Sequence, residues 1–251
     1  MSAVLQTKKL VKRFGGFVAV NDVTLAIAEG SRHALIGPNG AGKTTLVNLL
    51  TGFLEPTAGE VFLRGENVTK LAQHQRVRRG LVRTFQINRL FADLTVLESV
   101  ILAVCERLGL GWNFWQSVGA HRAAVDEAGA LLARLRLADI ANEKTRTLAY
   151  GKQRLLEIAL ALAAEPQVLV LDEPAAGVPT GESRELFETI AQLPRSVTIV
   201  LIEHDMDLVF RFADRISVLV GGALLTENTP EAIARDERVK EVYLGEALPH
   251  A

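Results

Sequence analysis

One cysteine, Cys105, stands in 251 residues, so the chain forms no intrachain disulfide and its composition fits a reducing cytosol. Its neighbours Ile101, Val104 and Leu108 recur at helical spacing, which places Cys105 on the buried side of a helix. An excess of charge of one sign is also missing. With 28 basic against 29 acidic residues and a net charge of −1, there is no field of the kind that a nucleic-acid binder carries. No apolar run reaches the ~18 residues that a membrane-spanning helix requires. Met1 to Lys8 lack the apolar core of a signal peptide. What remains is bulk: an apolar fraction of 49% over this length supports one large domain, or a core with a smaller insert.

Within that bulk, residues 37–45 are the organising stretch: Gly37, Pro38, Asn39, Gly40, Ala41, Gly42, Lys43, Thr44, Thr45. The apolar segment Arg32 to Ile36 precedes them, and Leu46, Val47, Leu49 and Leu50 follow at helical spacing. Strand, glycine loop and helix in that order turn the pattern G-x-x-x-x-G-K-[ST] into a phosphate-binding loop. Glycines let backbone N–H groups converge at the positive end of a helix dipole, so the expected occupant is a polyphosphate. Lys43 would neutralise β and γ oxygens, and the Thr44 hydroxyl would ligate Mg²⁺.

Around this loop, Val4 to Val11, Val18 to Ile27 and Glu60 to Gly65 read as strands of a small β-subdomain. Residues 87–149 change character. Thr95 and Glu98 have capping-box spacing, Leu97, Val100, Ile101, Val104 and Leu108 follow at helical spacing, and a second helical run passes through Ala123, Ala130, Leu131, Leu135 and Leu137. Trp112, Phe114 and Trp115 fall in the loop between them, either packed on the insert's own helices or facing a partner. The α/β pattern then resumes with two continuous apolar runs, Gln167 to Leu171 and Val197 to Ile202. Such runs suit strands buried on both faces of a parallel sheet. A helix marked by Leu186, Phe187, Ile190 and Leu193 joins them into a βαβ unit. Ile216 to Thr226 reads as a hairpin turning at Gly221 and Gly222, and Thr229-Pro230-Glu231 as the start of the last helix.

Strand ends carry the chemistry. Asp172 follows Leu171, where a carboxylate at the sheet edge can hold a Mg²⁺-bound water opposite the phosphate loop. Glu173 comes next and would polarise a water for in-line attack on a γ-phosphate. An Asp-Glu-Pro step alone suits any strand exit; with a phosphate loop on a neighbouring strand it becomes specific.

The order Gly37 to Thr45, Leu148-Ala149-Tyr150-Gly151-Lys152-Gln153-Arg154, then Val168 to Pro174, resembles the Walker A, signature and Walker B segments of the ATP-binding-cassette family, from about Leu10 to the C-terminus. The resemblance implies an α/β fold: a RecA-like P-loop NTPase core with an antiparallel β-subdomain over residues 1–86 and 150–251, and an inserted α-helical subdomain over 87–149 that carries the contact surface for a membrane partner. It implies ATP and Mg²⁺ as ligands and ATP hydrolysis coupled to transport. Gln86 resembles the glutamine that touches Mg²⁺ and the attacking water, His204 the switch histidine on the γ-phosphate, and Phe14 the aromatic that stacks on adenine. Phe17 suits the β-subdomain core instead. Ala149, Gly151 and Lys152 occupy the signature positions that approach nucleotide.

Two departures stand out. The usual signature is Leu-Ser-Gly-Gly-Gln; here Ala149, Tyr150 and Lys152 replace the serine, the first glycine and the glutamine, leaving the N–H of Gly151 and the helix dipole as the anion-facing groups. Pro179 stands where the family usually has an aspartate. Together with Arg83-Thr84-Phe85-Gln86, Ala175-Ala176-Gly177, Ile202 to Met206 and Val242 to Glu246, these features resemble the ATPase subunits of branched-chain amino acid importers. That likeness implies integral membrane permease subunits, a second ATPase chain as a homodimer or paralogue pair, an indirect solute-binding protein, no nucleic acid, and a peripheral place on the cytoplasmic face of the inner membrane. The ATPase of lipopolysaccharide export and non-transport members of the family are the alternatives. A phosphate-loop kinase or GTPase lacks the signature motif.

Overall fold

The computed structural model describes residues 2–84, 90–110 and 122–244. Its centre is a six-stranded sheet built from β3 (Arg32–Ile36), β6 (Leu81–Arg83), β7 (Val168–Asp172), β8 (Thr198–Ile202), β9 (Arg215–Val220) and β10 (Ala223–Asn228), in the order β10-β9-β3-β8-β7-β6. All pairings are parallel except the β9–β10 hairpin, whose turn uses Gly221 and Gly222 at positive φ. Residues of β3, β7 and β8 are buried throughout, the outcome expected of continuous apolar runs covered on both faces. One expectation is corrected. β7 is not the neighbour of β3, because β8 lies between them, and three strand exits therefore follow side by side.

Alternation along β7 sorts its side chains. Val168 and Val170 pack with Leu46, Val47, Leu49 and Leu50 of α1 (Lys43–Thr51), whereas Leu169 and Leu171 pack with the helices on the opposite face. Period two then carries Asp172 to the α1 face, and likewise Leu81 and Arg83 of β6.

A second sheet, of order β2-β1-β4-β5, covers α1 from outside; it comprises β1 (Ala3–Phe14), β2 (Phe17–Ala28), β4 (Ala58–Leu63) and β5 (Glu66–Asn67), all antiparallel. Val20, Val23, Leu25, Ile27 and Val61 complete the cluster around α1. Fully burying each of Leu46, Leu49 and Leu50 contributes roughly 1.5–3 kcal/mol, so α1 is among the best-anchored helices of the chain. Its far end has a polar anchor that sequence inspection missed. Short α2 (Gln73–Val77) buries the guanidinium of Arg76, which donates to the carbonyls of Leu49, Leu50, Thr69 and Leu71 at 2.6–3.0 Å. Burial without a carboxylate lowers its pKa to about 10.

The inserted helices are α3 (Val96–Arg107) and α4 (Arg122–Arg134), packed on α5 (Tyr150–Leu162). The capping box is present as expected, with Thr95 N–H donating to Glu98 at 2.7 Å and Glu98 N–H to Thr95 Oγ1 at 3.1 Å. The phase of α4 is corrected: Ala124, Ala128 and Leu132 form its buried stripe, not Ala123 and Ala130. Next come α6 (Thr180–Ala191), α7 (Met206–Phe212), α8 (Pro230–Ile233) and α9 (Glu237–Leu244). The helix begun by Pro230 is thus a single turn, and α9 is the last described helix. Phe17 is also corrected. It is 64% exposed, because it closes the β1–β2 hairpin opposite Phe14 rather than entering the core. Trp112, Phe114 and Trp115 lie outside the described residues. No helix among the described residues is long and apolar enough to cross a membrane.

Candidate functional site

The phosphate loop leaves β3 at Ile36 and is pinned from behind. A Cβ on Gly37 would stand 2.2 Å from the carbonyl oxygen of Leu219 on β9, and one on Gly42 would stand 2.4 Å from that of Ala19 on β2. Both residues also have positive φ, so glycine is required twice over. Ala41 N–H donates to Pro38 O at 3.1 Å, Gly222 N–H to Ala41 O at 3.0 Å and Leu46 N–H to Gly42 O at 2.8 Å, which closes the loop and starts α1. Asn39, Gly40 and Thr44 are exposed and Thr45 half-buried. Gly42 is the N-cap, so the first-turn N–H groups of α1 at Thr44 and Thr45 lack intrahelical carbonyls and face an anion's position. Lys43 folds over the loop, donating to the carbonyls of Gly37 and Pro38 at 2.6 and 3.0 Å.

Asp172 ends β7 almost fully buried. The chain then turns sharply through Glu173, a non-glycine residue at φ 48°, whose N–H donates to Ile202 O at 2.9 Å. His204 follows β8 with its side chain 69% exposed on the same edge of the sheet. Between them lies a residue that sequence reading did not single out. Glu203 is buried and accepts from Ala175 N–H at 3.0 Å and from His204 N–H at 3.1 Å, joining the turns after β7 and β8. Burial pushes its carboxyl above the usual range, against those N–H groups. Gln86 lies outside the described residues.

Ala149 is the exposed N-cap of α5. Here the structure corrects the expectation for its neighbours. Gly151 N–H donates to Glu182 Oε2 at 2.9 Å, and the Lys152 ammonium pairs with Glu185 at 2.8 Å, so within one chain both face α6 rather than an open anion site. The Lys152 ammonium holds the Glu185 carboxyl below its ordinary range. Glu182 itself sits in the first turn of α6, whose N-cap is Pro179. The Tyr150 ring fills the space beside Gly177, where an added Cβ would come within 3.4 Å of it. Tyrosine in the signature and glycine after the Asp-Glu-Pro step are therefore one packing solution. Phe14, 49% exposed with the Lys12 ammonium 5.2 Å from its ring centre, offers a free aromatic face beside the loop-bearing sheet.

A cavity of about 1370 Å³ lies at the other end of the sheet, lined by Gly80, Gln167, His74, Arg78 and Arg107 among others. Ligands of open α/β sheets sit beyond the carboxyl ends of the strands, and that is where Gly37–Thr45, Asp172, Glu173 and His204 converge.

Residues 20–176 match the ABC transporter family. The chain is 45% identical to LivG of Salmonella typhimurium, a high-affinity branched-chain amino acid transport ATP-binding protein, over 97% of this chain and 98% of that one. Among solved structures it superposes on the ADP conformation of MJ1267, an ATP-binding cassette of an ABC transporter, with TM-score 0.86 and 30% identity, covering 98% of this chain and 100% of the other. It also resembles the dimeric structure of MJ0796, a bacterial ABC transporter cassette, with TM-score 0.74 and 27% identity over 90% and 98%.

Proposed function

The chain belongs to the ABC transporter family, as an ATP-hydrolysing cassette, and we propose that it energises import of branched-chain amino acids from the cytoplasmic face of the inner membrane. The observation that supports this reading most is the side-by-side arrangement of three strand exits: the phosphate loop after β3, Asp172-Glu173 after β7 and His204 after β8.

The roles follow from the chemistry of each group. Loop N–H groups and Lys43 receive the β and γ phosphates, and Phe14 stacks on the adenine. Thr44 and Asp172 supply hard oxygens at the two sides of the phosphates, the number that Mg²⁺ takes from a protein when phosphate and water fill its remaining positions. Bound there, the ion neutralises charge on the β and γ oxygens. Glu173 accepts the proton of the attacking water, and His204 donates to the γ-phosphate, so attack in line is favoured by placement and charge. Gln86 would sense the same oxygens from the loop that leads to the helical insert. Residues 1–86 and 150–251 form the nucleotide-binding core, and 87–149 present the surface for two permease subunits.

A single chain holds one phosphate loop and one signature helix, and a closed two-fold pair with a second copy or a paralogue would bring the two kinds together. Reconstitution with the permeases encoded beside it tests the reading. ATP hydrolysis in proteoliposomes should rise when binding protein loaded with leucine or valine is added. Stimulation by lipopolysaccharide alone, with none by any amino acid, would refute it.

A further inference from the structure

We propose that Arg83 is a positioning residue of the nucleotide site, tying Asp172 to the α1 face that carries Thr44 and so setting the affinity of the site for the divalent cation. Its Nη2 donates to Asp172 Oδ2 at 2.5 Å and its Nη1 to Asn48 Oδ1 at 2.6 Å. The pair is dry, with side-chain exposures of 10% for Arg83 and 5% for Asp172. Asn48 lies four residues after Thr44 on α1, hence one turn along the same helix face. One guanidinium therefore spans the two elements whose oxygens would flank the cation. The inference rests on the reading of Thr44 and Asp172 given above.

The fork geometry decides between two roles. A cation that merely occupied Asp172 until metal arrived would need only one bond, and a lysine would serve. Arginine's planar fork reaches two acceptors at fixed angles. Arg83 uses that property to connect β6, β7 and α1, and its Nε is buried without a hydrogen-bond partner among the described residues, so its placement is tolerated at a cost. A carboxylate has two oxygens. With Oδ2 held by Arg83, the plane of the group is fixed and Oδ1 is presented in one orientation. The positive charge of Arg83 opposes a nearby cation, but this charge is shared with Asp172 in the same dry pocket. The loss of orientation is thus the larger effect when Arg83 is removed.

The test uses the full chain, a non-hydrolysable ATP analogue and Mn²⁺ as a paramagnetic probe, so that no turnover is involved. Arg83→Met should weaken Mn²⁺ binding to the nucleotide complex about tenfold by electron paramagnetic resonance, while calorimetric affinity for ATP in EDTA stays within twofold of the parent. Arg83→Lys, which keeps the charge but cannot make both bonds, should fall between. Asn48→Ala leaves the ion pair intact and guards against misfolding of the first variant; it should weaken Mn²⁺ binding about threefold. Unchanged or tighter Mn²⁺ binding in Arg83→Met and Asn48→Ala would overturn the proposal, as would an equal loss of metal-free ATP affinity. If the parent binds the analogue with no enhancement by Mn²⁺, the assignment of the cation site itself fails, and that outcome is distinct.

Discussion

Gly151 N–H donates to Glu182 Oε2 across 2.9 Å, so the N-terminus of the signature helix already carries a carboxylate when the chain stands alone. A second chain's γ-phosphate brought to that N–H would meet like charge. Glu182→Gln keeps an oxygen acceptor and removes the repulsion. It should lower stability by roughly 0.5–1 kcal/mol through the lost charge at two helix N-termini, yet tighten ATP-driven association several-fold by sedimentation. Association equal to that of the parent would mean that Gly151 does not approach nucleotide.

Glu173→Gln preserves size and hydrogen-bonding reach while removing the charge that polarises water, so ATP should bind and hydrolysis collapse. Repulsion between the carboxylate and the triphosphate disappears as well, which acts in the same direction. Size-exclusion chromatography with ATP should show an accumulated dimer. Hydrolysis at the parental rate would take Glu173 out of the chemistry.

Lys43→Ala removes the ammonium that lies across the carbonyls of Gly37 and Pro38. Hydrolysis should fall on the order of 10²-fold or more, with weaker ATP binding by calorimetry. Activity within twofold of the parent would contradict the role of the loop lysine.

His33 gives a pH dependence far from the chemistry. Its ring is buried, with Nε2 2.8 Å from Ser217 Oγ, and burial lowers its pKa from 6.5 to about 4, Glu227 opposing and Arg215 reinforcing the shift. Below pH 6.5 the unfolded chain takes a proton that the folded chain refuses. The stabilisation is therefore complete above 6.5 and lost as pH falls toward 4, a total of roughly 3 kcal/mol. Urea midpoints of the parent and His33→Gln should converge over that window. Parallel pH profiles would show that His33 does not titrate in this way.

Much of this arrangement is legible in the chain. Val168 to Leu171 and Thr198 to Ile202 are continuous apolar runs, and both are central strands. Gly37 to Thr45 announces its loop because steric demand and charge fall on neighbouring residues. β6 was not legible: three residues are too few for a periodic signal. Alanine misled the phase of α4, since it is apolar on either face of a helix. Glu203, Glu182 and Arg83 act on partners 28, 31 and 89 residues away, and no local pattern encodes such pairs. Only the pairing of strands, which is non-local by nature, brings them together.

The left-handed backbone of Glu173 bears on how this chain can be engineered. An L-residue there costs roughly 1 kcal/mol that glycine would avoid. Selection for heat resistance alone would find that gain and remove the carboxylate with it. A library ranked by melting temperature should hence be enriched in dead enzymes at this position, and any programme to harden the protein has to hold Glu173 constant while it searches elsewhere.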